Sequence, residues 1–389
     1  MKYDFKKKVV CYNDSAMKTS KEVINSNLGL NYYDDSISMW IADMDFFVAP
    51  KIVEAIKERA NAATFGYTEI SDEYYSSVCN WYERRHNMKF SKNEVFCSHG
   101  TIAAIRNVIR TFTKEGDGVI IQPPVYYPFF SITTENKRVL VENNLLVGEG
   151  NRYSIDFEDF EKKCADSNNK LFIFCNPHNP IGQIWKSEDV KRLLDICDKY
   201  GVLFFSDEVH ADIVRNDCKF VSTLNMGKTD GLIVATAANK TFNLAGLHIT
   251  NVIIPNADLH KKLDDYTGKN LISPFAESAA IAAYNECEDW VDEMRCVIDE
   301  NIAYVYDFIK ENLPRVRFNS PEGTYLLWLD FRDYNMAESD LLNLISEKAH
   351  VIVEGGKMFC PNVEGFVRMN VACPKTILVE ALNRIKSLF

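Results

Sequence analysis

Several short segments of this chain carry residue types that could share one chemical task. Lys240 stands in Ala238-Asn239-Lys240-Thr241-Phe242-Asn243-Leu244-Ala245-Gly246-Leu247, just past an apolar run ending near Thr236. A free lysine amine has a pKa of about 10.4 and is a poor nucleophile at neutral pH. Bonded as an imine to a carbonyl cofactor, it becomes the exchangeable anchor of an electron sink. Asp207 closes the apolar run Val202 to Ser206, in Phe205-Ser206-Asp207-Glu208-Val209-His210. A carboxylate at a strand's carboxyl end can keep a pyridine nitrogen protonated. It could equally cap a following helix. Asn176-Pro177-His178-Asn179-Pro180-Ile181-Gly182 follows the run Leu171 to Cys175. Two Asn-Pro steps and a glycine enforce an irregular loop that can aim Asn179 at a ring hydroxyl.

Three further segments are ordinary by themselves. Ser98-His99-Gly100-Thr101-Ile102 reads as a strand end entering a helix, where free backbone N–H groups and the helix dipole suit a phosphate. Pro123-Pro124-Val125-Tyr126-Tyr127-Pro128-Phe129 is a rigid strand exit that can hold a tyrosine flat against a ring, or simply pack aromatics. Gly365-Phe366-Val367-Arg368-Met369-Asn370 places an arginine on a strand, where it can grip a carboxylate with two parallel hydrogen bonds or form a structural ion pair. An amine, a carboxylate, a phosphate cradle and a flat aromatic together are what pyridoxal 5′-phosphate (PLP) requires, with Lys240 as its anchor.

The elements that must position these residues follow from hydrophobic pattern. Short runs that are apolar throughout read as buried strands: Val119 to Gln122, Leu171 to Cys175, Val202 to Ser206, Gly231 to Thr236 and Asn251 to Ile254. Between them lie helical-period segments such as Thr101 to Thr113 and Ser187 to Tyr200. The alternation predicts an α/β fold with a mostly parallel sheet covered by helices on both faces. Ligands of such sheets bind at the carboxyl ends of strands, where Lys240, Asp207 and Asn179 fall. From about Pro274 the pattern changes to a long helix, Glu288 to Asn312, followed by strand candidates Thr324 to Asp330 and Gly365 to Val371 and helices Ala337 to Ala349 and Lys375 to Ser387. This predicts a large domain over 46–284 and a smaller α+β domain made of 1–45 with 285–389.

Composition narrows the function classes. The 389 residues are 47% hydrophobic and 25% charged, enough for a sizeable core and against long disorder. A net charge of −11 repels phosphate backbones, so nucleic acid is not an expected partner. No apolar run approaches the roughly 18 residues a membrane span needs, and the basic start has no apolar stretch of a secretory signal behind it. The eleven cysteines, Cys11, Cys79, Cys97, Cys164 and Cys175 among them, form no C-x-x-C pair. The expectation is a reducing cytoplasm and no metal site.

With these segments in order, the chain resembles the fold-type-I PLP enzymes of the class I/II aminotransferase superfamily, whose large domain carries a seven-stranded sheet. Met39-Trp40-Ile41-Ala42-Asp43-Met44-Asp45-Phe46, with Lys240 to Leu247, is similar to the MalY/PatB branch of cystathionine β-lyases and cystalysin-like C–S lyases. The resemblance runs from about Trp40 to Asn370. It implies that Lys240 bonds the cofactor and shuttles protons, Asp207 pairs the pyridine nitrogen, Asn179 faces the ring oxygen and Tyr126 stacks on the ring. Gly100, Thr101 and Ile102 would offer N–H groups to the phosphate. Arg368 would hold the α-carboxylate of a small amino-acid substrate, helped by backbone near Ala42. Tyr67, in Phe65-Gly66-Tyr67, would reach the phosphate of a neighbouring subunit, which implies a homodimer with the site at its interface.

The chain departs from the wider superfamily in three places. Many relatives have arginine eight residues after the lysine, where His248 stands. Many have hydroxyls just before the lysine, where Ala237 and Asn239 stand, and tyrosine three after the aspartate, where His210 stands. The implied reaction is β-elimination of a thiol from cystathionine or another S-substituted cysteine. Amino-group transfer would use the same residues, and a second role as a partner of a transcription regulator stands as an alternative of another class.

Overall fold

The computed structural model describes residues 1–9, 16–227, 230–268 and 271–389; Cys11 lies outside these. Seven strands form the main sheet: β1 Val95–Ser98, β2 Gly118–Ile121, β3 Val139–Glu142, β4 Asn169–Cys175, β5 Leu203–Asp207, β6 Leu232–Thr236 and β7 Thr250–Ile253. Their spatial order is β1-β7-β6-β5-β4-β2-β3. β3, β2, β4, β5 and β6 are mutually parallel, while β7 is antiparallel to both β6 and β1. β1 therefore points the same way as the parallel strands. The carboxyl ends of β1, β2, β4, β5 and β6 share one rim, and β7 begins there.

The predicted strands appear within one or two residues of their expected limits, because β2, β6 and the 171–175 part of β4 are apolar and buried on both faces. Helices Thr101–Phe112 and Ser187–Tyr200 match their predicted spans closely. One apolar layer joins Ile105, Val108, Val119 and Ile233 under helix Thr101–Phe112. A larger one, with Phe172, Phe204 and Trp290, fills the opposite face.

A four-stranded antiparallel sheet follows: β8 Arg317–Phe318, β9 Leu326–Asp330, β10 Glu354–Gly355 and β11 Phe366–Asn370, in the order β8-β9-β11-β10. The long helix spans Glu288–Asn312 as predicted. The N-terminal segment joins this part, since Ile37–Ser38 pairs in parallel with Val351–Ile352. Asn370 Nδ2 donates to the carbonyls of Ile41 (2.8 Å) and Asp43 (2.7 Å), which pins the Met39–Phe46 segment over the small sheet. The ten described cysteines are all free, and no described helix is long and apolar enough to cross a membrane.

Candidate active site

Strand register brings the predicted residues to the common rim. Cys175 of β4 lies beside Asp207 of β5, which lies beside Ala235 of β6. The loop with Asn179 therefore leaves the sheet next to Asp207. The single helical turn Ala238–Thr241, which carries Lys240, leaves it one strand further on. Ser98 and Thr250 pair at the same rim, which sets Gly100 and His248 there.

Lys240 Nζ donates to the carbonyl oxygen of Ala42 at 2.8 Å, and the Tyr325 hydroxyl donates to the same oxygen at 2.8 Å. Ala42 thus meets the site through its carbonyl. Burial holds the Lys240 amine below the usual lysine range; Arg368 pushes the same way, while Asp43, Asp207 and Glu354 oppose. Asn243, three residues on, accepts from the Met44 N–H (3.1 Å) and donates to the Met44 and Phe46 carbonyls (3.0 Å each). The two segments that carried the resemblance are therefore locked together.

Asp207 is 4% exposed, and its carboxylate accepts one long hydrogen bond, from the Val209 N–H at 3.3 Å. It has no ion pair among the described residues. Burial pushes its carboxyl up to about 7, with a smaller push from Glu208, against the pull of Lys240. His210 is buried, its Nδ1 has no partner, and burial together with Lys240 and Arg368 lowers its pKa to about 3. It is a neutral ring, set edge-on to Tyr325 with centroids 6.2 Å apart.

Arg368, on β11, is 2% exposed and lies 4.8 Å from the Phe359 ring centroid. It donates to Asn179 Oδ1 (2.9 Å) and the Trp40 carbonyl (2.9 Å), and it contacts the Glu354 carboxylate. Asn179 and Arg368, 189 residues apart in sequence, are thus direct partners. Burial raises the Tyr126 phenol pKa, and its ring packs edge-on against Phe129.

The three N–H groups expected to face a phosphate differ in their partners. Gly100 (φ 92°) turns its N–H back to the Ser98 carbonyl at 2.9 Å. Among the described residues, the N–H groups of Thr101 and Ile102, at the start of the helix, have no such partner. A Cβ at Gly100 would meet His248 Nδ1 at 3.7 Å, so the histidine standing where relatives have arginine sits beside the cradle. Tyr67 is not brought to the others. It is fully exposed and forms no hydrogen bond within the described chain.

Tyr325, Glu354 and Asn243 were not singled out as site residues in the sequence. Tyr325 lies inside a predicted strand, and Asn243 inside the lysine motif. Glu354 sits in a two-residue strand that no periodicity reveals.

Residues 34–385 match the profile of the family described as aminotransferase class I and II. The chain belongs to that family. Cystathionine beta-lyase PatB of Bacillus subtilis (strain 168) is 37% identical over 358 residues, 91% of this chain and 92% of its own length. Protein MalY of Escherichia coli (strain K12) is 29% identical over 349 residues, 88% and 89% of the two chains. Cystalysin from Treponema denticola, whose crystal structure contains a pyridoxal 5′-phosphate cofactor, superposes with a TM-score of 0.94 at 33% identity, over 100% of this chain and 99% of that one.

Class I and II aminotransferases are PLP-dependent, and the residues present fit PLP. A buried carboxyl with one weak hydrogen bond and a pKa near 7 lacks a cation, which a protonated pyridine nitrogen supplies. The orphaned His210 Nδ1 can meet a ring oxygen, and the N–H groups of Thr101 and Ile102, without a partner among the described residues, suit a phosphate.

Proposed function

We propose that this chain is a PLP-dependent carbon–sulfur β-lyase, which eliminates a thiol from L-cystathionine or another S-substituted cysteine to give pyruvate and ammonia. The observation that carries this reading is its similarity to PatB, named a cystathionine beta-lyase, across nine-tenths of both chains. The site's geometry supplies the groups such an elimination needs.

Bound at the rim, PLP supplies an electron-accepting ring for the electrons of the Cα–H bond. Arg368 and Asn179 fix the substrate α-carboxylate, which sets the direction of that bond. Lys240, an amine that burial keeps ready to lose its proton, takes the Cα proton as general base. The Cβ–S bond then breaks with its electron pair going to sulfur, which leaves as a thiol after protonation. The released 2-aminoacrylate hydrolyses to pyruvate and ammonia. With PLP bound, Asp207 would keep the ring nitrogen protonated, Tyr126 would pack against the ring, Ala42 would contribute its carbonyl, and Thr101, Ile102 and the Gly100 turn would hold the phosphate. His210, through its unpartnered Nδ1, would meet the ring oxygen.

The exposed Tyr67, with Phe65 60% exposed beside it, supports a homodimer in which this segment completes the partner's phosphate site. The pairing of Ile37–Ser38 with Val351–Ile352 supports a division into 46–284 and a smaller domain of 1–45 with 285–389.

Purified protein supplied with L-cystathionine should release pyruvate, ammonia and a thiol in equal amounts. Rapid amino transfer to 2-oxo acids with no pyruvate from any S-substituted cysteine would assign the chain to the aminotransferases instead.

A further inference from the structure

The register of the small sheet sets Glu354 of β10 directly opposite Arg368 of β11. Directly opposed residues project from the same face, so the contact between them is imposed by the backbone. Both side chains are almost wholly buried, at 1% and 2% exposure. The Glu354 oxygens accept no hydrogen bond from any other described group. The arginine is more fully engaged, with Asn179 and the Trp40 carbonyl on its terminal nitrogens, and only its Nε lacks a partner. A substrate carboxylate gripped by Arg368 would bring a second anion to a buried guanidinium that already has one. Two carboxylates sharing one small buried site do not both stay ionised.

We propose that Glu354 is a positioning residue which holds Arg368 until substrate arrives and yields it to the α-carboxylate by taking up a proton. Substrate binding and protonation of Glu354 are then one event. The inference rests on the reading of Arg368 as the α-carboxylate residue. The groups facing Glu354 are Arg368 on β11, Lys240 on the turn after β6, and the phenols of Tyr126 and Tyr127. Burial raises the Glu354 carboxyl to about 7 against the pull of Arg368 and Lys240, so the proton is available near neutral pH. Without Glu354 the arginine would be buried without a counter-ion before substrate binds. With it, the arginine stays ordered and accepts a carboxylate at the cost of one proton.

The test uses the PLP-loaded enzyme and 3-(methylthio)propanoate, which has the carboxylate and thioether of S-methylcysteine but no amine to react with the cofactor. Calorimetry at pH 8 in two buffers of different ionisation enthalpy should show uptake of about one proton per site, with cofactor absorbance unchanged. Affinity should fall about tenfold per pH unit above 7. In Glu354→Gln, affinity at pH 8 should be about tenfold tighter and flat with pH. With S-methylcysteine this variant should show a KM at pH 8 about tenfold below that of wild type, with the difference closing below pH 7. No proton uptake by the wild-type enzyme overturns the proposal, as does uptake that persists in Glu354→Gln. Arg368→Gln separates the two readings. If it binds the analogue as wild type does, the role given to Arg368 falls. If it loses binding while wild type takes up no proton, only the role given to Glu354 falls.

Discussion

Asp207→Asn should act in opposite directions with and without the cofactor. The folded carboxyl titrates at about 7, the unfolded one at 3.8. Between those values the PLP-free folded chain keeps a proton that the unfolded chain has released. Because the folded state binds more protons there, its stability falls as pH rises from about 4 to 7. At about 1.4 kcal/mol per pH unit that separation is worth about 4 kcal/mol, and water entering a PLP-free cleft reduces it to about 2 kcal/mol. Asparagine keeps the shape and the acceptor for the Val209 N–H but carries no charge. Stripped of PLP, the variant should therefore resist urea better than wild type at pH 8, with the gap closing towards pH 4. Loaded with PLP, it should lose its advantage, because the ring nitrogen has lost its anion. Breaking a buried charge pair costs about 3–5 kcal/mol, a loss of at least a hundredfold in turnover. Urea midpoints by tryptophan fluorescence at pH 5 and pH 8, with and without PLP, measure both effects. A PLP-free variant no more resistant than wild type at pH 8 would refute the claim that this carboxyl lacks a cation.

Three further substitutions test the rest of the rim. Borohydride should fix the cofactor covalently to the wild-type chain and add its mass, while Lys240→Ala should gain none and lose activity. Arg368→Lys keeps the charge but loses the planar fork that bonds Asn179 and a carboxylate together, so KM should rise roughly 10–100-fold with kcat changed only a few-fold. His248→Ala should release PLP about tenfold more readily on dialysis with substrate KM unchanged, since the ring lies beside the Gly100 turn.

The sequence was most informative where burial is complete. β4, β5 and β6 are largely apolar because both faces are covered, so their carboxyl ends could be placed: Asp207 closes β5, and Asn179 and Lys240 stand shortly after β4 and β6. Elements without that pattern were harder to read. β3 lies at the sheet edge and is half exposed, and β10 is two residues long. Their existence depends on the neighbour that pairs with them, not on local pattern. The same holds for single atoms. Gly100 was expected to offer its N–H, yet the turn directs it to Ser98. Glu354 enters the site only because a register fixed over the whole small domain sets it across from Arg368.

Comparison of four buried carboxylates separates what the fold needs from what the reaction needs. Asp212 accepts from His86 Nε2 at 2.7 Å, Trp81 Nε1 at 3.1 Å and Thr241 Oγ1 at 2.8 Å; despite burial, His86 and these hydrogen bonds hold its carboxyl below the usual range. Glu208 takes hydrogen bonds from Ser206, Ser222 and Thr223. Both are supplied from within the chain, and Asp212 secures the residue next to Lys240 through Thr241. Asp207 and Glu354 are buried as deeply, yet one has a single long hydrogen bond and the other a single arginine. Burying a charge without adequate partners is costly, and a chain selected for stability alone would replace such residues. Their presence in one site, facing one amine and one guanidinium, is accounted for when the missing partners arrive from outside: a ring cation for Asp207, and for Glu354 the proton that accompanies a substrate carboxylate.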